Sequence, residues 1–111
     1  MISNMMNTLE SFPNAPKEWN INTAENTAIT EGVQLNDDHW DLIRALQEYF
    51  HKVEFPRMRQ LKDALDEKFH SRGGMKYLYQ ILPGGPVTTG CRLAGLQIPA
   101  GAVDKSFGSV A

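Results

Sequence analysis

Short apolar stripes at helical spacing predict a mainly α protein: a small orthogonal bundle of about five short helices, with a mobile N-terminal segment and an extended C-terminal arm. Three observations carry this expectation. Apolar residues recur every three or four positions in several segments. Caps, prolines and glycines cut those segments into short pieces. None of the pieces is long enough for a four-helix bundle, so they must cross around one small core.

Residues 1–20 are polar and interrupted by Pro13 and Pro16, which predicts a loose segment anchored by Phe12 and Trp19. Residues 21–31 read as a short helix with Asn22 or Thr23 as its cap and Glu25 in its first turn. The next element has the clearest signature. Asn36 is an N-cap, Asp37 and Asp38 complement the positive end of the helix dipole, and Trp40, Ile43, Leu46 or Gln47, and Phe50 follow at helical spacing. The spacing predicts a helix from about Asp37 to His51.

Pro56 opens a second amphipathic helix. Met58, Leu61, Leu65 and Phe69 form its apolar stripe, and Lys62, Asp63, Asp66 and Glu67 its wet face. Ser71-Arg72-Gly73-Gly74 ends it with glycines suited to left-handed backbone. A shorter helix covers Met75 to Leu82, and Pro83-Gly84-Gly85-Pro86 breaks it as a tight connection. Pro86 sits at the first turn of a last helix, Val87 to about Ala94, closed by Gly95. Beyond Gly95 the helical period is lost. The expected organisation is a flexible segment 1–20, a helical domain 21–95, and an arm with its tail at 96–111.

Composition narrows the function classes. The chain has 111 residues, 41% hydrophobic and 22% charged, the balance of one ordinary globular domain. No apolar stretch is long enough for a transmembrane helix, so no membrane association is expected. The first residues lack a basic region followed by an apolar one, so a secretory signal is not expected. The single cysteine, Cys91, excludes an internal disulfide and points to the reducing cytoplasm. Three histidines with no metal-ligand spacing, and no phosphate-loop pattern around Gly84-Gly85, give an expectation of no cofactor and no metal. His39 reads as a first-turn capping or packing residue. A chain this short has little to spare for walling off a deep active site, which favours carriers, adaptors and binding modules.

Charge is unevenly spread. Residues 1–51 hold two basic and eight acidic side chains, and residues 52–111 hold nine basic and five acidic. A basic second half suits an acidic partner or a nucleic acid, although its charges alternate in sign, as on an exposed helix face. Two short helices around Ser71-Arg72-Gly73-Gly74 resemble a helix-turn-helix. The second of them offers few base-reading side chains, so a nucleic-acid partner is not favoured. The oligomeric state is left open.

Motifs in order then point to a family. Leu35-Asn36-Asp37-Asp38-His39-Trp40-Asp41-Leu42-Ile43, the run Gly73-Gly74-Met75-Lys76-Tyr77-Leu78-Tyr79-Gln80-Ile81-Leu82-Pro83-Gly84-Gly85-Pro86, and Cys91-Arg92-Leu93-Ala94-Gly95-Leu96 are similar to signatures of the TusE/DsrC/DsvC sulfur-relay family. Arg57-Met58-Arg59-Gln60-Leu61 falls where that family has a related helix. The resemblance covers roughly residues 33–103. It implies a small helical protein with a C-terminal arm, a role in sulfur metabolism, and a protein partner, either sulfite reductase or a sulfur-transfer complex. In that family a cysteine near the end of the arm carries sulfur as a persulfide, and some members have a second cysteine upstream.

This sequence departs from the pattern at the arm. The arm cysteine falls on Ala102, eight residues continue past Val103, and Thr88 and Ile98 stand where the family has lysines. The upstream cysteine is kept as Cys91, the only thiol that could handle sulfur. The expected site is therefore Cys91 as the reactive group, with Arg57, Arg59, Lys76 and Arg92 attracting an anionic sulfur species or an acidic partner. The expected role is a carrier-like accessory rather than an independent enzyme. The competing reading is a non-catalytic regulatory binding module, with DNA binding as one form of it, that has lost the carrier step.

Overall fold

The computed structural model describes residues 11–99, which form five α-helices with no strand among them. They are α1 (Ile21–Glu31), α2 (Asp37–Lys52), α3 (Met58–Lys68), α4 (Gly74–Ile81) and α5 (Pro86–Ala94), with a 3-10 turn at His70–Arg72 between α3 and α4. The expected helical bundle is thus what the chain forms. Residues 1–10, and Ala102 with the tail expected after it, lie outside the described residues.

Local chemistry sets the boundaries. Asn20, rather than Asn22 or Thr23, caps α1: its side chain accepts a hydrogen bond from the Thr23 N–H at 2.9 Å. Gly32 then ends the helix in the left-handed region, where a glycine has no Cβ to clash. Asn36 caps α2 as expected, accepting from the Asp38 and His39 N–H groups. His39 completes a reciprocal box by accepting the Asn36 N–H at Nδ1, 3.0 Å away. Its Nε2 lies 2.9 Å from the Ile81 carbonyl. The tautomer with the proton on Nε2 satisfies both contacts, so this buried histidine ties α2 to the end of α4.

The second amphipathic helix is shorter than its pattern suggests. Pro56 restricts the chain ahead of it, but Arg57 is the first flanking residue and α3 ends at Lys68. Phe69 is buried, and the 3-10 turn carries the chain to Gly73. Gly74 sits at φ +64 at the start of α4, and a Cβ there would collide with the Asp66 carboxylate. That carboxylate accepts the Met75 N–H at 2.8 Å, so a side chain from α3 does the work of an N-cap for α4. On the other side of the turn Arg72 bridges Asp38 at 2.7 Å and Asp41 at 3.0 Å, and the Tyr77 hydroxyl donates to Asp38. Burial works against the Asp41 carboxylate, but hydrogen bonds from Arg44 and Arg72 outweigh it and hold the group below its usual range.

Helix α5 is the centre of the molecule. It packs against each of α1, α2, α3 and α4, and seven of its nine residues are buried. Its small residues let neighbours approach closely. A Cβ on Gly90 would come within 2.7 Å of Leu46 Cδ1 on α2. The segment ahead of α1 closes one side of the core, with Phe12 and Trp19 buried and their rings 5.0 Å apart. The anchoring expected of these two residues is therefore present.

The close α2–α5 contact gives a direct test. Gly90→Val should lower unfolding free energy by about 2 kcal/mol or more through overpacking, read by chemical denaturation. Gly90→Ala should cost less, because alanine regains about 1 kcal/mol of helix propensity. Equal stability of the valine variant and the parent would contradict the packing described.

Candidate functional site

The only thiol lies on the central helix. Cys91 occupies the middle of α5 and is 0% exposed, one of a continuous cluster that includes Leu42, Ile43, Leu46, Leu61, Leu65 and Leu93. Burial pushes its thiol up from an ordinary 9.0 to about 12. At neutral pH that leaves a thiolate fraction on the order of one in 10⁵. A nucleophilic cysteine needs the opposite setting, namely exposure and a nearby positive charge. In the free folded chain Cys91 is packed as a small apolar side chain.

The four cations singled out with it are spread over the surface. Arg57 precedes α3 and makes no side-chain hydrogen bond to cap that helix. Arg59 is exposed in the first turn of α3. Lys76 is exposed on α4. Arg92 leaves α5 on its outer side and pairs with Glu31 of α1 at 3.3 Å. No hydrogen bond or ion pair joins any two of them to a shared acceptor among the described residues. All four are exposed while Cys91 is buried, and no hydrogen bond or ion pair among the described residues links any of them to the thiol.

What it does build is the root of the arm. Gly95 closes α5 at φ +77, and the Leu96 N–H returns to the Cys91 carbonyl at 2.8 Å. Residues 95–99 then form one wall of an open groove of about 770 Å³. Its other walls are Pro16 ahead of α1 and Phe50, Glu54, Phe55, Pro56 and Arg57 around the α2–α3 connection. Phe55 is 77% exposed at this edge, and Pro99 is buried. Of the expected cation set, Arg57 alone reaches the groove.

Two buried side chains hold the last carbonyls of α5 beside this groove. The Trp19 indole donates to the Leu93 carbonyl at 2.7 Å, and the Gln47 amide donates to the Ala94 carbonyl at 3.0 Å. Reasoning from sequence passed over both roles. Trp19 was legible only as an anchor and Gln47 only as one of two candidates for an inward position. The usable signal was the same in each case: a hydrogen-bonding side chain at a position that packing would fill with a purely apolar residue.

The state of Cys91 makes two measurable statements. A thiol reagent near about pH 8 should leave the native chain unmodified and should modify one thiol per chain once it is denatured. Stability should also depend on this group at alkaline pH. A thiol whose folded pKa is raised contributes stability that is intact below its unfolded value and lost as pH climbs through the folded one. Thermal melts from about pH 9 towards pH 12 should therefore fall more steeply for the parent than for Cys91→Ala. Parallel curves would mean that the thiol ionises as easily in the folded state as in the unfolded one.

Comparison with known proteins agrees with the resemblance. The family model described as DsrC like protein matches residues 3–103. The protein named Sulfurtransferase TusE from Salmonella typhimurium is 32% identical over 94 residues, covering 81% of this chain and 84% of its own length. The protein of the same name from Escherichia coli is 31% identical over 94 residues with the same coverage. No solved structure gives a significant match. The match spans all five helices and the arm root, and the chain belongs to the DsrC-like family.

Proposed function

We propose that this chain is a sulfur-relay protein of sulfur metabolism that works by docking on a protein partner, either a sulfur-transfer protein or a sulfite reductase. The observation that supports this reading is the match of the family model across residues 3–103, including the helices and turns that present the arm. The cytoplasm, where thiols stay reduced, is the compartment we assign to it. No helix among the described residues is long and apolar enough to cross a membrane.

The chemistry of the relay sets what the chain must contribute. In persulfide transfer a thiolate attacks the outer sulfur of a donor persulfide. One S–S bond forms, one breaks, and the donor leaves as a thiolate with no net oxidation. The attacking group must therefore be accessible and ionised. Cys91 is neither in the folded chain, and the arm position is alanine. We therefore assign the free chain a docking role, with sulfur resting on a partner thiol during transfer. The basic side chains Arg57, Arg59 and Lys76 remain on the surface as candidates for contact with an acidic partner.

Intact-mass measurement after incubation with a persulfide donor tests this reading. The native chain should gain no sulfur, Cys91→Ser should behave identically, and Ala102→Cys should gain one sulfur atom. Sulfur gained by the native chain and lost in Cys91→Ser would instead make Cys91 the carrier. Failure of Ala102→Cys to gain sulfur would count against a relay role for this scaffold.

A further inference from the structure

We propose that Trp19 and Gln47 are positioning residues for the C-terminal arm: together they fix where and in which direction it leaves the core. This inference rests on the arm being a working segment of a relay protein. The geometry is specific. The last carbonyls of a helix have no partner inside it, and exposed ones ordinarily turn to water. Here two successive carbonyls, Leu93 and Ala94, each accept from a buried side chain that comes from a different part of the chain. Trp19 reaches across from the segment ahead of α1, and Gln47 from α2. The next residue, Gly95, reverses the backbone at φ +77, and a Cβ on it would lie 2.8 Å from Trp19 Cδ1. The arm's first hydrogen bond, from the Leu96 N–H to the Cys91 carbonyl, follows directly. The direction of residues 96–99 is thus set by groups on two other elements.

Gln47 argues that the arrangement does more than stabilise the core. Gln47 is 1% exposed, and its Oε1 finds no hydrogen-bond partner among the described residues. An amide half-satisfied in an apolar core is a net cost relative to an apolar side chain of similar size. Packing alone would favour methionine or leucine at this position. The one group its paired N–H serves is the carbonyl at the root of the arm.

Amide hydrogen exchange separates positioning from general stability, and it needs neither a partner nor sulfur. Its outcome is therefore independent of whether the relay reading holds. The amides compared are Leu96 at the arm root and Leu46 in the middle of α2. Gln47→Met keeps the volume and removes the amide. It should leave the melting temperature unchanged or raised, while Leu96 exchange accelerates about tenfold relative to Leu46. Trp19→Phe keeps a buried ring and removes the N–H, and should likewise speed Leu96 more than Leu46. Leu42→Ala serves as a control that lowers stability through the core and should shift both amides together. The proposal is overturned if Leu96 and Leu46 move in parallel in both positioning variants, or if Leu96 does not move.

Discussion

The burial of α5 is the constraint on which the rest of the molecule depends. None of the five helices exceeds 16 residues, and helices this short gain most of their stability from tertiary packing rather than from their own hydrogen bonds. Each of the other four covers a side of α5, so the apolar faces that would otherwise meet water are closed by one shared element. The small residues in Thr89-Gly90-Cys91 permit this. They let α2 approach closely enough for Leu42 and Leu46 to lie against the α5 backbone.

Polar contacts then fix how the shell is arranged around that core. They cluster at element ends, where orphan backbone groups must be satisfied. His39 joins the start of α2 to the end of α4, Asp66 caps α4 from α3, and Arg72 draws the intervening turn onto Asp38 and Asp41. Trp19 and Gln47 do the same at the end of α5. Most of these contacts join residues distant in sequence, so they choose one arrangement of short helices over the alternatives. The half-exposed ion pairs among them add modest energy, but they are directional.

The helices were legible in the sequence because their signals are local. Asn36 with its two aspartates, and Pro86 and Gly95 at the two ends of α5, each mark a boundary to within a residue or so, and the structure places the α5 start at Pro86 itself, one residue before the expected Val87. The boundaries that shifted depended on contacts from elsewhere. Phe69 continues the apolar stripe of α3 by spacing, yet the helix stops before it, because the turn that follows is bound to Asp38 and Asp41. The candidate site was less legible for the same reason. A lone cysteine reads alike whether buried or reactive, since only packing decides its ionisation. The Trp19 contact with Leu93 spans 74 residues and leaves no periodic trace.

The position of Cys91 at the centre of α5 also explains why its chemistry and its fold conflict. Exposing the sulfur requires moving a helix that four others rest on, so the opening that would ionise it approaches unfolding of the domain. A thiol on the arm would lie outside that central helix, which ends at Ala94. The chain therefore places its one thiol where it serves packing, and position 102 is alanine. What the chain retains is the arm root: a glycine turn, two carbonyls held by buried donors, and a groove edged by Phe55 and Arg57. These features define a surface beside a buried thiol, and that pairing of an open arm root with a closed sulfur is the physical ground for the docking role proposed for the chain.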